Sequence, residues 1–536
     1  MKYVVGVDFG TLSARALIVE AESGKAVAES TSEYIHAVLD KRLPSGKLLK
    51  IGTALQVPSD YIKALSESVR AALEKSKINS EDVIGLGIDF TSSTVLSVFE
   101  DGTPLCESEK YKDEPHAYAK LWKHNTASKE AEDITRLAIE RKEKFISIYG
   151  GKLSAELMLP KIFETLRCAP EVYNDTHRFL EAADWLSFIL TGKETRSPAF
   201  AGYKAAWNNE TGYPSNEFFA ELDPRLDGIV GTKIFERVEP DISASAGTLN
   251  ERGSEITGLP IGTALSLPMI DAHASLAGLG VTGDGEMVMI IGTSACYILN
   301  STEKNDVKGI FGYVKDGVFP GLYTYESGQS AVGDMFDWFV KNSVPAHYAK
   351  EAEEKGIGVH ALLTEKASML EVGESGVVAL DWWSGNRCIL SDYSLRGMLY
   401  GITMRTVPEE IYRALLEAAV FGARVIFEQH EKFGINIKGV TAAGGIANKN
   451  PLLMQIYADV LNRDVRIAAS TQSGALGSAA YAAAAAGVFP SIEAASRVYA
   501  PVAEKVYYPI PENVEKYNVL YAKYRKLHDY FAENKI

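Results

Sequence analysis

The sequence predicts an α/β protein of two related domains, and three observations support this prediction. The chain has 536 residues, which is too long for one hydrophobic core. Apolar strand patterns mix with amphipathic helical patterns, beginning with three strands, a helix and a strand rather than strict alternation. A strand, a corner containing Gly-Thr and a second strand occur at the N-terminus and again about half the chain later.

The first domain combines strand patterns with one well-marked helix. The helix is predicted at 57–77, because Pro58, Ser59 and Asp60 are start signals and the apolar residues that follow recur at helical spacing. The strands are predicted at 3–7, 14–19, 25–34, 82–90 and 94–105.

A mainly helical insertion is predicted to interrupt this domain at about residues 115–211 and to cover a cleft. Its segments 115–125, 170–196 and 199–213 combine helical patterns with aromatic residues. Residues 237–287 are expected to be rich in loops and to lead back to the body of the domain.

The second domain repeats the opening of the chain. Residues 286–300 again form an apolar run, a Gly-Thr-Ser corner and a second apolar run. We expect domains at 1–283 and 284–536, with a hinge near 280–287 and a cleft between the domains. The later elements are predicted as helices at 408–434, 450–462 and 473–489 and a strand at 439–445.

The two corners, at Gly10 and Gly292, suggest a phosphate-binding function. A glycine turn exposes backbone N–H groups that can surround an anion, and Thr or Ser hydroxyls add donors. Asp8, at the end of the first strand, would then be an oxygen ligand for Mg²⁺, directly or through water. A plain turn explains one such corner, whereas a pair of them favours the phosphate interpretation.

Asp271 is the candidate for proton transfer. It follows an apolar run and precedes a helix of small residues, where an aspartate often serves only as an N-cap. The helix dipole favours the ionised carboxylate at this position. An ionised carboxylate can accept a proton from a hydroxyl group that attacks phosphorus, so Asp271 is a candidate general base.

Composition and motifs exclude several other classes. The formal net charge of −15 argues against a nucleic-acid surface, which needs an excess of Lys and Arg. No signal peptide or membrane-spanning run is visible, and the four cysteines have no Cys-x-x-Cys spacing, as is typical of a reducing compartment. We therefore expect a cytoplasmic protein without nucleic-acid or membrane partners.

Competing nucleotide and metal motifs are absent or misplaced. The chain lacks Gly-x-x-x-x-Gly-Lys-Ser/Thr, which excludes a P-loop ATPase. The match to Gly-x-Gly-x-x-Gly at Gly278, Gly280 and Gly283 follows a helical stretch instead of a strand, which disfavours dinucleotide binding. His273 and His430 are interpreted as packing or surface residues, since no metal-binding histidine cluster appears.

Six segments together resemble the FGGY family of carbohydrate kinases, which belongs to the superfamily of actin, hexokinase and the heat-shock ATPases. The segments are GVDFGTLSAR, GIDFTSS, MIDAHASLAGLG, MIIGTSACYI, RGMLYGI and TAAGGIANKNP. The resemblance implies two actin/hexokinase-like (ribonuclease-H-like) domains and a sugar kinase that uses ATP and Mg²⁺, with a homodimer as a further possibility.

Within the family, the segments IDFTSSTVL, PHAYAKLWKH and YESGQSAVGDMFDW are similar to those of ribulokinases. This similarity implies phosphorylation of the terminal 5-hydroxyl of L-ribulose, in L-arabinose catabolism. Another pentulose, such as D-ribulose or xylulose, is the alternative, because Ser92-Ser93 stands where ribulokinases often carry Ala-Cys.

The resemblance also assigns roles to individual residues. Asp271 would be the general base, and Asp8 would hold Mg²⁺ through water. The sugar would contact Ser92, Ser93, Lys204, Asp271, Glu326 and Gln329. The nucleotide would contact Gly10, Thr11, Ser13, Arg15, Gly292, Thr293, Ser294, Gly444, Gly445 and Asn448.

Two other classes compete with the kinase. An actin-like or chaperone-type nucleotide-binding protein would share both corners but would need a polymer interface or a peptide-binding module, and we identify no segment for either. A nicotinamide dehydrogenase would depend on the misplaced glycine motif alone. The kinase is favoured because Asp271, Lys204 and Glu326 offer a base and a polar sugar pocket.

Overall fold

A computed structural model describes residues 1–470, 472–501 and 505–534. The chain forms two compact units. Unit 1 comprises Met1–Thr282, Tyr313–Thr324 and Gln472–Ala500, and unit 2 comprises Gly283–Gly312, Tyr325–Thr471 and Pro501–Ile536. Within the described residues, no helix combines the length and the hydrophobicity that crossing a membrane requires.

Residues 1–282 contain eleven strands and ten α-helices, besides five short 3-10 or π helices. The strands are β1 (Tyr3–Phe9), β2 (Ser13–Glu20), β3 (Ala26–Glu33), β4 (Leu55–Gln56), β5 (Val83–Phe90), β6 (Val95–Val98), β7 (Ala119–Lys120), β8 (Arg178–Glu181), β9 (Ser245–Thr248), β10 (Ala264–Ser266) and β11 (Met269–Ile270). The helices are α1 (Pro58–Ser76), α2 (Ser128–Glu140), α3 (Phe145–Ile148), α4 (Met158–Cys168), α5 (Pro170–Asp175), α6 (Ala182–Thr191), α7 (Pro198–Lys204), α8 (Asn216–Leu222), α9 (Glu251–Thr257) and α10 (Asp271–Gly278).

The described part of the chain after residue 282 contains nine further strands and nine further helices. The strands are β12 (Glu286–Ile291), β13 (Ala295–Ser301), β14 (Gly312–Lys315), β15 (Tyr323–Gln329), β16 (Val378–Leu380), β17 (Met398–Tyr400), β18 (Gly439–Ala443), β19 (Val465–Ile467) and β20 (Lys505–Tyr507). The helices are α11 (Gly333–Ser343), α12 (Ala346–Glu354), α13 (Val359–Ser368), α14 (Pro408–Lys432), α15 (Gly445–Lys449), α16 (Pro451–Leu461), α17 (Ser473–Ala485), α18 (Ile492–Tyr499) and α19 (Pro511–Asn534).

The main sheet of unit 1 has the order β3-β2-β1-β5-β10-β9, and β11 also pairs with β5. Strands β1, β2 and β3 form an antiparallel meander, whereas β5 runs parallel to β1, β10 and β11. The register aligns two similar tetrapeptides, Gly-Val-Asp-Phe of β1 and Gly-Ile-Asp-Phe of β5, residue by residue. Phe9 and Phe90 stack with ring centroids 4.9 Å apart.

The paired glycines of these tetrapeptides let helix α17 contact the sheet backbone. A Cβ atom on Gly6 would lie 1.9 Å from the carbonyl oxygen of Ala475, and one on Gly87 would lie 1.9 Å from that of Ser478. Any larger side chain would therefore push the helix away from β1 and β5. A helix from near the end of the chain thus completes the unit in which the chain begins.

The inserted segment contributes strands as well as helices. Its β7 and β8 pair with β4 and β6, which precede the segment, in a small sheet of order β4-β7-β6-β8, and its helices include α2, α4 and α6. The helical prediction for 115–125 is wrong: Pro115–Ala117 forms a 3-10 turn, and Ala119–Lys120 is strand β7. Backbone pairing with β4 and β6 outweighs the local helical pattern there.

The second large sheet has the order β14-β15-β13-β12-β18-β19-β20. Strand β12 pairs antiparallel with β13 and parallel with β18, which is the pattern that β1 makes with β2 and β5. The long helix α14 is buried along most of its length. This repetition is what the two similar corners in the sequence predict.

The two units are not two continuous halves of the chain. The chain first leaves unit 1 and enters unit 2 between Thr282 and Gly283, close to the boundary expected from the sequence. Residues 472–500 nevertheless belong to unit 1, because α17 packs on β1 and β5. Residues 237–287, expected to be rich in loops, also contain β9, α9, β10, β11 and α10.

Candidate active site

Three carboxylates of unit 1 meet at the carboxyl edge of its main sheet. Asp8 of β1 lies directly opposite Asp89 of β5. Met269 of β11 is opposite Asp89 on the other side, and Asp271 follows two residues later. Ligands of open α/β sheets bind beyond the carboxyl ends of parallel strands. The strand register therefore brings Asp8 and Asp271, both predicted site residues, to the expected place.

Asp89 differs from its two neighbours because it is completely buried. Its Oδ2 accepts a hydrogen bond from Ser478 Oγ at 2.6 Å. Burial first, and then the negative charges of Asp8 and Asp271, raise the pKa of Asp89 well above its usual value. The raised pKa favours the neutral, protonated form of Asp89, which lowers the negative charge at this edge of the sheet.

Asp8 and Asp271 are both partly accessible. The side chain of Asp8 is 22% exposed, with its Oδ2 3.6 Å from Nη1 of Arg15. Asp271 is the first residue of α10, whose N-cap is Ile270, and its Oδ1 accepts a hydrogen bond from the N–H of Ala272 at 2.7 Å. The start of the helix thus fixes one carboxylate oxygen of Asp271.

The first corner is held by hydrogen bonds to its carbonyl oxygens. Tyr34 donates its hydroxyl to Gly10 O at 3.0 Å, and Gln56 donates Nε2 to Thr11 O at 2.7 Å. The indole N–H of Trp122 donates to Thr11 Oγ1 at 3.1 Å. With Oγ1 already accepting one bond, the Thr11 hydroxyl can donate its proton to an anion.

The second corner, in unit 2, has a similar internal bond. Gly292 N donates to Ser294 O, two residues on, at 2.9 Å, whereas Gly10 N donates to Ser13 O, three residues on, at 3.0 Å. Here the start of α11 holds the carbonyl oxygens: Val332 N donates to Thr293 O at 2.8 Å, and the N–H of the following glycine donates to Gly292 O at 3.0 Å. Both corners are therefore fixed from their carbonyl side.

Packing does not explain the glycines of the corners. A Cβ atom on Gly10 or Gly292 would meet nothing closer than 3.6 Å, and one on Gly445 would meet nothing within 4 Å. Gly444 is different, because its φ is +97° and a Cβ there would lie 2.4 Å from Ile291 O. The fold requires Gly444, whereas the open space at the other three suits a ligand that approaches the backbone.

Comparison with known proteins agrees with this geometry. Residues 3–278 match the N-terminal domain of the FGGY family of carbohydrate kinases, and residues 287–486 match its C-terminal domain. The chain belongs to the FGGY family of carbohydrate kinases. As a member of this family it is a sugar kinase, an enzyme that acts on a small-molecule sugar.

Individual FGGY relatives are similar over nearly their whole length. The ribulokinase of Halalkalibacterium halodurans is 48% identical and that of Anoxybacillus flavithermus 47%, each over 99% of this chain and 95% of the relative. The crystal structure of xylulose kinase from Rhodospirillum rubrum is 21% identical over 99% of each chain, with a TM-score of 0.80. The predicted actin/hexokinase-like fold is confirmed.

The predicted sugar residues of unit 1 lie near the same FGGY sheet edge. Ser92 and Ser93 follow β5 after one intervening residue, and Ser93 has a φ of +57° and is buried. Lys204 ends α7, a helix that packs against β11, and its side chain is buried as well. Unit 1 thus brings Ser92, Ser93, Lys204 and Asp271 to neighbouring segments.

The other two predicted sugar residues, Glu326 and Gln329, lie on β15 in unit 2 and are buried. The side-chain amide of Gln329 donates to Asp381 Oδ2 at 2.7 Å and to Ala419 O at 3.0 Å, and it accepts a hydrogen bond from Tyr297. Both N–H groups of Gln329 are thus used within the unit. Its contact with sugar stays a prediction.

Asp89 is a residue of this edge that was not predicted, although the sequence contains a signal for it. The tetrapeptide Gly-Val-Asp-Phe at 6–9 returns as Gly-Ile-Asp-Phe at 87–90. Two strands with the same pattern that pair in register place their aspartates side by side, as the structure does. No comparable sequence signal indicates that α17 packs on β1, because the two elements are separated by most of the chain.

Proposed function

We propose that this FGGY kinase transfers the γ-phosphoryl group of ATP to the terminal 5-hydroxyl of L-ribulose. The observation that carries the kinase chemistry is the position of Asp271, fixed at the carboxyl edge of the sheet near the open corner at Gly10. The curated relatives named ribulokinase, nearly half identical over almost the full chain, support L-ribulose as the substrate.

In this proposal Asp271 accepts the proton of the attacking sugar hydroxyl. One of its oxygens is held by Ala272 N, so the carboxylate keeps its orientation. A general base must be positioned and ionised, and the start of α10 favours both. Phosphoryl transfer otherwise depends on positioning and on the neutralisation of charge, which fall to the corners and to the metal.

The corners bind phosphate in this proposal. Thr11 and Ser13 offer hydroxyl donors on unit 1, beside the open backbone at Gly10, with Arg15 as a nearby cation. Thr293 and Ser294 offer hydroxyl donors on unit 2, beside the open backbone at Gly292. For the adenosine part we propose Gly444, Gly445 and Asn448, because Gly445 leaves open space for a flat base beside the backbone.

Asp8 is the proposed contact for Mg²⁺. Its carboxylate is partly exposed and lies next to the first corner, and Mg²⁺ prefers oxygen ligands, waters and phosphates over an all-protein cage. Within the described residues, no group of three or more His, Cys, Asp or Glu side chains could hold a metal ion. Asp8 alone, acting through water, fits such a site, where the metal would neutralise phosphate charge.

A second candidate substrate is another pentulose, such as D-ribulose or xylulose. Ser92 and Ser93 support it, because additional hydroxyl groups in a buried sugar site change which hydroxyls of a substrate are paired. A cytoplasmic location and a homodimer stay predictions from the sequence; sedimentation of the purified protein would test the dimer.

A substrate panel tests the proposal. Purified enzyme is assayed with ATP and Mg²⁺ on L-ribulose, D-ribulose, L-xylulose, D-xylulose and glycerol. We expect the highest kcat/KM for L-ribulose, because a buried polar site rejects epimers whose hydroxyls leave its groups unpaired. A higher kcat/KM for D-ribulose or a xylulose would replace L-ribulose with that sugar, and no turnover on any sugar would contradict the kinase proposal.

A further inference from the structure

Two buried titratable side chains hold a single peptide group next to the proposed sugar site. Lys161 of α4 donates its Nζ to the carbonyl oxygen of Ser93 at 2.5 Å. The N–H of Thr94, in the same peptide group, donates to Oε2 of Glu181 at 3.0 Å. Both polar atoms of the Ser93–Thr94 peptide are thus hydrogen-bonded by buried side chains from outside the loop.

The peptide needs such support because its backbone is strained. Ser93 has a φ of +57°, in the left-handed region that residues with a Cβ adopt at a cost. The loop also has to follow directly on β5, at the edge that carries Asp89. Without external hydrogen bonds, Ser92 and Ser93 would be free to relax to an ordinary conformation and to turn their hydroxyls elsewhere.

The Lys161–Glu181 pair is set deep inside unit 1. Lys161 is completely buried, and its Nζ also donates to Leu121 O at 2.9 Å. Burial lowers the pKa of Lys161 to about 7 and raises the pKa of Glu181 to about 8, and the charge of each partner opposes the effect of burial on the other. The positive charge of Lys204 also acts on Glu181.

Buried titratable groups of opposite sign are weak evidence for stability, because the cost of desolvation offsets their attraction. A pair that binds both ends of one strained peptide has a more specific effect than stability. The neighbouring pair of Lys120 and Glu164, 2.6 Å apart and equally buried, makes no such contact with the sugar loop. The two pairs differ in that only Lys161 and Glu181 bind the peptide group between Ser93 and Thr94.

We infer that Lys161 and Glu181 are positioning residues that fix Ser92 and Ser93 for recognition of the sugar. The inference rests on the proposed function, because the contact of these serines with sugar is part of it. Neither residue touches the reacting atoms, so their effect belongs to sugar binding and to discrimination between sugars, and not to nucleotide binding.

The test compares Lys161→Met, Glu181→Met and Glu181→Gln with the wild type. The two methionine variants each remove one bond to the peptide, and we expect KM for the sugar to rise about tenfold to a hundredfold while KM for ATP stays unchanged. The glutamine variant keeps an oxygen that accepts from Thr94 N, so its sugar KM should stay within about threefold of the wild type.

Asp184→Leu is the matched control. Asp184 lies on α6, three residues after Glu181, and its buried carboxylate accepts a hydrogen bond from a backbone N–H, that of Ser197, at 3.0 Å. A general loss of packing would raise the sugar KM of this variant as much as that of Glu181→Met. An equal rise in the sugar KM of Asp184→Leu would overturn the inference. So would methionine variants that lower only Tm, or a Glu181→Gln variant whose sugar KM rises as much as that of Glu181→Met.

Hydrogen–deuterium exchange of the unliganded wild type tests the same inference without any variant that has to fold. Thr94 N–H should exchange slowly before sugar is added; rapid exchange that slows only with bound sugar would overturn the inference. All assays use whichever ketopentose of the panel the wild type phosphorylates best. If L-ribulose is not the preferred substrate, the substrate panel shows this, and the test of Lys161 and Glu181 is still valid with the preferred sugar.

Discussion

At the scale of single residues, glycines distinguish the space used by the fold from the space left for a ligand. Gly444 cannot carry a side chain, because its φ is positive and Ile291 O is too close. Gly445, the next residue, starts α15 and faces open space. Glycine is a poor helix former, so its presence where packing allows alanine points to a ligand.

Gly445→Ala is therefore expected to weaken nucleotide binding without harming the fold. The added methyl group would occupy the space proposed for adenosine, and KM for ATP should rise about tenfold or more, with KM for sugar unchanged. Steady-state kinetics and Tm measure the two effects. Gly358→Ala, another glycine with open space around its Cβ, is the control. An unchanged KM for ATP would remove Gly445 from the proposed site.

Asp271→Asn tests the proposed base at the same scale. Asparagine has nearly the same shape and can keep the hydrogen bond with Ala272 N, but it cannot accept a proton. We expect kcat to fall by about 10²–10⁴-fold, while Tm and the Kd for ATP stay close to the wild type. Turnover within a few fold of the wild type would show that another group takes the proton.

At the scale of elements, helix α17 depends on close backbone contacts. Its Gly477 faces α10, where a Cβ atom would lie 1.9 Å from the carbonyl oxygen of Ala274. Gly278 of α10 has the reciprocal contact, 2.1 Å from Ser473 O. The same helix approaches Gly6 of β1 and Gly87 of β5. The glycines of three elements therefore set how close α17 can lie to its neighbours.

Gly477→Ala separates helix propensity from packing. Propensity alone predicts a gain of about 1 kcal/mol when alanine replaces a glycine inside a helix. The contact with Ala274 predicts a loss of about 1–3 kcal/mol or more, because two helices must move apart. Thermal unfolding should show a Tm lower by several degrees, with little change for Gly358→Ala. A higher Tm would contradict the packing argument.

At the scale of the whole molecule, buried titratable groups of both units link stability to pH. His430, on α14 of unit 2, is completely buried, and burial lowers its pKa to about 4. In unit 1, burial lowers the pKa of His124 to about 4 and raises that of Asp184 to about 7. The lowered pKa values of the two histidines make the fold less stable at acidic pH. The raised pKa of Asp184 makes the fold more stable at acidic pH.

For His430 the sign follows from its two pKa values. The unfolded chain binds the proton below about pH 6.5, but the folded chain binds it only near pH 4. The stability contributed by neutral His430 is therefore present above pH 6.5 and is lost as the pH falls toward 4, by about 3 kcal/mol in total. Tm measured from pH 7 to pH 4 should fall less steeply for His430→Phe than for the wild type. Parallel curves would contradict the prediction.

The main elements were predictable because their signals are local, and the site motifs were recognisable for the same reason. The pattern of β1 and its corner, the start signals of α1 and the long apolar face of α14 each lie within a few turns or one strand. The segment 115–125 was mispredicted because its secondary structure depends on pairing with β4 and β6, which are distant in sequence. Asp89 was missed because its burial arises only when β5 pairs with β1.

The amino-acid sequence alone sufficed for the fold class and the family, and for the proposal of the two corners and Asp271 as site residues, because hydrophobic periodicity and short motifs are properties of neighbouring residues. Only the tertiary structure decided that residues 472–500 complete unit 1, that Asp89 lies beside Asp8, and that Lys161 and Glu181 hold one strained peptide. These features join residues far apart along the chain. Burial and strand register, which set their charges and contacts, exist only after folding.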